Sequence, residues 1–303
     1  MLDYLLALGV YAAIYGLLAL GLNLVWGLTG MVNLGLAGFY AVGAYATAIA
    51  TVRGHLPIVA GIVLAVVASA ATGVAVSAIT VRLRGDYLAI VTLGFAELVR
   101  LVATNEVKLT NGSDGISGVP GPLREQLGPL GFDALSLVIA AATVVVVFAL
   151  LQRLAFSPYG RVLRAIRDDE QVTRVAGKHT VRFKIEAFAL SAGIFGLAGA
   201  LYAHYGSYVS PDAFTALVTI YVFLALTAGG VGNNLGAVAG GIVVVFVLES
   251  TRFIAGALPG IGAVQAASIR EFLIGAGLIA VLRLRPQGLV PETKVGPPTP
   301  GAI

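Results

Sequence analysis

The chain contains no cysteine, one tryptophan, two methionines and three histidines in 303 residues. The lack of cysteine excludes disulfides, thiolate metal centres and thiol nucleophiles, and leaves the redox compartment open. His55, His179 and His204 are scattered along the chain, so each reads as an interfacial or solvated residue and no metal site is expected. Charge is scarce as well. Only 11% of residues are charged, against about 25% in an ordinary soluble domain. There is no GxxxxGK[ST] phosphate loop, no GxSxG elbow and no HExxH helix, so neither nucleotide hydrolysis nor hydrolytic catalysis is expected of this chain alone.

What is present is apolar residues and glycine. Hydrophobic residues make up 58% of the chain, mean hydropathy is +0.94, and 39 residues are glycine. This composition reads as an all-α polytopic integral membrane protein, in which small residues let helices approach closely in lipid. The net charge of +4 does not point to nucleic acid, because the basic residues flank apolar runs, where they orient a membrane protein.

A helix needs about 20 apolar residues to cross the hydrocarbon. Candidate spans are Leu5–Val25, Phe39–Val52, Leu56–Val81, Tyr87–Ala103, Ala134–Leu151, Ile185–Tyr205, Phe214–Ala228, Leu235–Phe253 and Ile269–Leu284. Several are short and read as half-spanning or broken, so about eight to ten crossings are expected. The N-terminus lacks a basic region and a cleavage site, and reads as a retained first span. Residues 1–290 read as one transmembrane domain, with a docking loop at 153–184 and an opposite-face loop at 105–133. Residues 291–303, the end of a Pro- and Gly-rich tail, read as a disordered cytoplasmic tail.

Loop 153–184 holds eight of the nineteen Lys and Arg. Arg82, Arg84, Arg283, Arg285 and Lys294 fall on the same side if each span from Leu56 onward crosses once, which places that side in the cytoplasm. Within the loop, Ser157-Pro158-Tyr159-Gly160 reads as a turn. The following stretch to Glu170 reads as a short amphipathic helix, with Val162, Leu163 and Ile166 apolar and Arg161, Arg164 and Arg167 on its flank. It suits either a protein partner or the inner membrane surface.

Two further features admit both a functional and a structural reading. The stretch from Gly27 to Gly38 packs Gly27, Gly30, Asn33, Gly35 and Gly38 into twelve residues. It makes a poor continuous helix, and such backbone persists at membrane depth only when buried in protein or lining a watery cavity. It reads either as a broken element beside a translocation path or as close packing through small residues. The pairs Glu97/Arg100 and Glu249/Arg252 place opposite charges three residues apart within spans. They serve either to line a path for a zwitterion or to neutralise each other structurally.

The segments GLNLVWGLTGMVNLGLAGFYAVGAY (21–45), GDYLAIVTLGFAELVRL (85–101) and TNGSDGISGVPG (110–121) resemble LivM-type permeases of branched-chain amino acid ABC importers. So do GRVLRAIRDDE (160–170), KIEAFALSAGIFGLAGALYAHY (184–205) and RPQGL (285–289). The resemblance runs in order from about residue 15 to 290. It implies a multi-pass permease subunit in a bacterial inner membrane that carries branched-chain or hydrophobic amino acids. Its implied partners are membrane lipid, a LivH-like second permease, two cytosolic ABC ATPases and an external substrate-binding protein. The chain itself would bind no cofactor, with ATP and Mg²⁺ on the ATPases.

By the same resemblance the coupling helix maps onto 160–170, with Gly160, Arg161, Arg164, Ile166, Arg167 and Glu170 as coupling residues. In the broader importer signature, EAA precedes a glycine at fixed distance. Here Glu170 is followed by Gln171-Val172, and Gly177 comes one position late. Asn33, Gly35, Gly38, Thr92 and Glu97 are the expected path-lining residues, and Asn111, Ser113 and Asp114 the expected contacts with the binding protein. A urea or short-amide permease of the same family and a proton-coupled secondary transporter are the alternatives.

Overall fold

The computed structural model describes residues 2–83 and 85–257, then residues 265, 268, 269, 272, 275–277, 279, 280, 283 and 287–292, with the backbone alone over 251–257. The last candidate span, Ile269–Leu284, and residues 293–303 of the tail therefore lie largely or wholly outside the described residues, as does the Arg252 side chain. Glu249 is described, and accepts a hydrogen bond from the Tyr4 hydroxyl at 2.8 Å.

The helices follow in the order α1 (Leu2–Leu22), α2 (Leu36–Ala48), α3 (Ile58–Thr80), α4 (Asp86–Asn105) and the short α5 (Val107–Thr110). Strand β1 (Ile116–Ser117) precedes α6 (Arg124–Phe156), α7 (Pro158–Asp168), α8 (Glu170–Val175) and α9 (Thr180–Gly206). Strand β2 (Tyr208–Val209), α10 (Ala216–Gly229) and α11 (Asn234–Ala257) complete the described elements. Among the described residues, α3, α4, α6, α9 and the segment Leu2–Gly27 are long and apolar enough to cross a membrane. The chain is a multi-pass, all-α membrane protein.

The core forms where α1, α2 and α9 meet. Ile14, Leu17, Leu18, Leu20 and Leu22 of α1 are fully buried, as are Phe39 and Ala44 of α2 and Ala192 and Phe195 of α9. A helix that is apolar all round and buried needs close neighbours on every side, and small residues provide the room. Gly61, Ala65, Ser69, Gly73 and Ser77 form the buried stripe of α3, and α9 packs along it. Gly43 of α2 lies backbone to backbone against Gly196 of α9, an approach that any side chain would prevent. The opposite face of α3 exposes Val59, Val63, Leu64 and Val67, as expected of a surface facing lipid.

Two ends of the bundle are distinct. At one, β1 pairs antiparallel with β2 through Ile116↔Val209 and Ser117↔Tyr208. The neighbouring stretch is more ordered than the predicted loop 105–133 implied: Val107–Thr110 is helical, and α6 starts at Arg124. Gly128, at φ 65° and ψ 176°, breaks this helix just before Pro129, so its first turn is kinked away from the apolar run that begins near Phe132. At the other end lie α7 and α8.

Candidate functional site

Helix α7 starts within the stretch read as a turn, at Pro158, and ends at Asp168. The Ser157 hydroxyl accepts a hydrogen bond from the Gly160 amide at 3.3 Å, and Pro158 occupies the first turn. Both are favoured there because the first amides of a helix lack intrahelical acceptors. Gly160 is buried against the carbonyls of Leu154 and Ala155, which sets the sharp corner after α6. Leu163 and Ile166 are buried beneath the helix.

The arginines of α7 divide by side. Arg161 is exposed. Arg164 donates to the Ala155 carbonyl at 2.8 Å. Arg167 points inward, and its Nη1 donates to the Gly27 carbonyl at 2.5 Å and to Glu292 Oε1 at 2.9 Å. Burial opposes the Arg167 charge, but the Glu292 and Asp168 carboxylates outweigh it and hold the guanidinium more firmly protonated than usual. Glu170 accepts from Lys184 Nζ at 3.1 Å and from the Thr180 hydroxyl at 3.2 Å. Lys184 also donates to the Val81 carbonyl at 3.1 Å, so one buried ammonium joins α8, α9 and the end of α3.

Arg167 reaches the glycine-rich break. After α1 the chain widens into a π-helical turn, Asn23–Gly27, and leaves helical geometry until α2 begins at Leu36. Gly30 takes φ 75° beside the Cα and side chain of Arg167, a conformation and a proximity that both favour glycine. A cavity of about 360 Å³ opens between this segment and α7–α8, lined in part by Thr29, Met31, Leu88, Ile166 and Asp168. At its far end the break rests on α4. The Leu34 amide donates to the Thr92 hydroxyl at 3.1 Å, and Gly35 lies against the Thr92 backbone. The Asn33 side-chain Oδ1 accepts from the Gly35 amide at 2.9 Å. Its Nδ2, fully buried, has no hydrogen-bond partner.

A buried amide chain links this break to a second one, between α10 and α11. Asn23 Oδ1 accepts from the Gly232 amide at 2.8 Å, and its Nδ2 donates to Asn234 Oδ1 at 2.9 Å. Asn234 Nδ2 in turn donates to Gln152 Oε1 at 3.0 Å.

Residues 4–282 match the family described as branched-chain amino acid transport system / permease component. The high-affinity branched-chain amino acid transport system permease protein LivM of Salmonella typhimurium is 33% identical over 93% of this chain and 68% of its own length. The probable LivM of Methanocaldococcus jannaschii is 30% identical over 97% of this chain and 95% of its own. LivH of Escherichia coli is 26% identical over 93% of this chain and 92% of its own. The chain belongs to this permease family. No solved structure matches it.

Of the path-lining residues expected in the permease, Asn33, Gly35, Gly38 and Thr92 come together where the break meets α4. Glu97 does not join them. It turns outward on α4 and pairs with Arg100 at 2.5 Å, with the two side chains 47% and 26% exposed. At the β1–β2 end Asn111, Ser113 and Asp114 are exposed on one turn, which is braced beneath by Asn111 Nδ2 to the Gly115 carbonyl and Tyr208 Oη to the Asp114 carbonyl, both 2.9 Å. His204, read as interfacial, is buried instead. Its Nδ1 lies 2.7 Å from the Pro120 carbonyl, which only accepts, so Nδ1 carries the hydrogen and neutral Nε2 accepts from the Thr47 hydroxyl at 2.9 Å.

Sequence reasoning missed α8. Val172 and Val175, three residues apart, are 65% and 89% exposed beside α7. The signal was present in EQVTRV, where two β-branched apolar residues at helical spacing interrupt a polar loop.

Proposed function

We propose that this chain is the LivM-type permease subunit of an ATP-driven importer for branched-chain and similar hydrophobic amino acids in the bacterial inner membrane. The substrate class follows the names of its relatives. The eight basic residues of 153–184 support a cytoplasmic position for α7 and α8, with the β1–β2 end facing the external binding protein. A LivH-like chain completes the transmembrane pair. ATP and Mg²⁺ act on two cytosolic ATPases, and this chain binds no cofactor.

Arg161, Val172, Arg174 and Val175 present both charge and apolar area at the α7–α8 surface, as a protein partner requires. Closure of the ATPases displaces this surface. The observation that carries the proposal is the hydrogen bond from Arg167 to the Gly27 carbonyl, because it delivers that displacement to the last residue of the π-helical turn, the point from which the chain leaves helical geometry. Segments of this kind absorb the dihedral changes of hinge motion. The break then bears on α4 through Thr92, where its shift opens one side of the path and closes the other.

The test is uptake by the complete complex in proteoliposomes. Arg167→Met is expected to assemble with its partners and hydrolyse ATP while losing most uptake. Wild-type uptake by that variant would refute the coupling route.

A further inference from the structure

The tail segment 287–292 has no role in the function proposed above, yet it is held in place at four points. The Leu289 amide donates to the Ala228 carbonyl at 2.8 Å and the Val290 amide to the Gly229 carbonyl at 2.9 Å. Gly288, at φ 72°, lies against the backbone of Gly229 and Gly230. Asn233 Nδ2 donates to the Pro291 carbonyl at 3.0 Å. These contacts fix the strap on the C-terminal end of α10 and deliver the next residue, Glu292, onto Gly232 and Arg167.

Arg167 Nη1 carries two hydrogens. One points to Glu292 Oε1 at 2.9 Å and the other to the Gly27 carbonyl at 2.5 Å. The remaining anionic partner among the described residues is Asp168, which accepts from Nε at 3.3 Å and is 71% exposed, against 30% for Glu292. Asp168 therefore draws the guanidinium toward solvent and Glu292 draws it toward the break. A long flexible arginine left with Asp168 alone would divide its time among several rotamers, since its side-chain entropy resists any one geometry. A charged partner fixed on a backbone-bonded strap removes that freedom.

We propose that Glu292 is a positioning residue that holds Arg167 on the Gly27 carbonyl, so that the tail strap joins α7 to both glycine-rich breaks. The inference rests on the proposed coupling role of α7. It adds that coupling efficiency depends on a carboxylate more than one hundred residues away in sequence. Glu292 touches neither substrate nor nucleotide and acts only through Arg167.

The experiment uses the full complex, with its ATPases and binding protein, in proteoliposomes loaded with ATP. Leucine uptake and phosphate release are followed together, and the amount of assembled complex is measured by size-exclusion chromatography. Glu292→Ala is expected to lower leucine moved per ATP hydrolysed by roughly three- to tenfold, the range for losing a partly exposed charge-assisted hydrogen bond. Glu292→Gln, which keeps the shape and loses the charge, is expected to fall between Ala and wild type, and keeps the test valid if the alanine variant assembles poorly. In an Arg167→Met background the Glu292→Gln change is expected to have no further effect on that ratio. An unchanged ratio in both single variants, with wild-type transport intact, would overturn the proposal and leave the function proposed above standing. A smaller amount of complex at an unchanged ratio would show a structural strap only, and would overturn it as well. Absence of ATP-driven uptake by the wild-type complex would remove the reading on which it rests.

Discussion

Replacing Asn23 by leucine tests whether the two breaks are held together by the buried amide chain. Asn23 is fully buried and makes two polar contacts, accepting from the Gly232 amide and donating to Asn234 Oδ1. Leucine leaves Asn234 Oδ1, on a residue 4% exposed, without its donor, at a cost of about 1–3 kcal/mol. The Gly232 amide is half-buried and recovers part of its hydration, so it adds only about 0.5–1 kcal/mol. The expected destabilisation is therefore about 1.5–4 kcal/mol. It would be read from equilibrium unfolding in mixed micelles, as SDS is raised against a non-ionic detergent. The double variant N23L/N234L removes both partners, so its loss should fall short of the sum of the two single losses by at least about 1 kcal/mol. Additivity within about 0.5 kcal/mol would refute the claim that these amides act as a pair across the two breaks.

Lys184→Met removes the cation beside Glu170, which keeps the Thr180 hydroxyl, and frees the Val81 carbonyl. A loss of about 2–3 kcal/mol is expected in the same assay, toward the low end for a buried ion pair because the Glu170 side chain is 28% exposed. Val172→Asp with Val175→Asp should leave stability within about 0.5 kcal/mol of wild type, because both residues are exposed, while abolishing co-purification of the ATPases. Gly196→Val drives a side chain into Ser69 and the Ala65 carbonyl of α3 and should prevent accumulation of folded protein, as followed by fluorescence-detected size exclusion. Asn33→Leu removes a buried amide whose Nδ2 makes no hydrogen bond. Its Oδ1 also accepts from the buried Gly35 amide, so stability should fall by about 1–3 kcal/mol, and uptake should fall with it if that amide meets the substrate or water of the path.

The apolar runs carried most of the architecture. Apart from the last segment, each stretch read as a span is helical, because runs of Leu, Val and Ala between basic or glycine-rich punctuation leave little alternative in lipid. The helix expected after Gly160 and up to Glu170 was legible from its apolar spacing, but it starts earlier, at Pro158 within the expected turn, and stops at Asp168, where Asp169 turns to cap α8. What the sequence hid was direction and distance. Amphipathicity located Arg161, Arg164 and Arg167 on α7 without indicating that the last two bond the chain's own carbonyls at Ala155 and Gly27. Asn23 and Asn234 meet across 211 residues, a contact to which no local pattern points. The loop expected over 105–133 ends early because Pro129, usually a helix stop, here follows a glycine kink and opens the long apolar part of α6. Charge is costly within a span, and Glu97 meets that cost by pairing with Arg100 on an exposed face of α4, an arrangement the three-residue spacing already suggested.

The central claim is that this subunit is driven by ATPases gripping α7 and α8. Because the chain has no native cysteine, Val175→Cys gives a single thiol on that surface. Cross-linking it to a cysteine on the partner ATPase, in proteoliposomes that accumulate leucine on ATP addition, is the most direct measurement. The account predicts a covalent permease–ATPase adduct and loss of ATP-driven accumulation, both reversed by thiol reduction. Full accumulation with the adduct in place, or accumulation that follows a proton gradient without any ATPase, would contradict it.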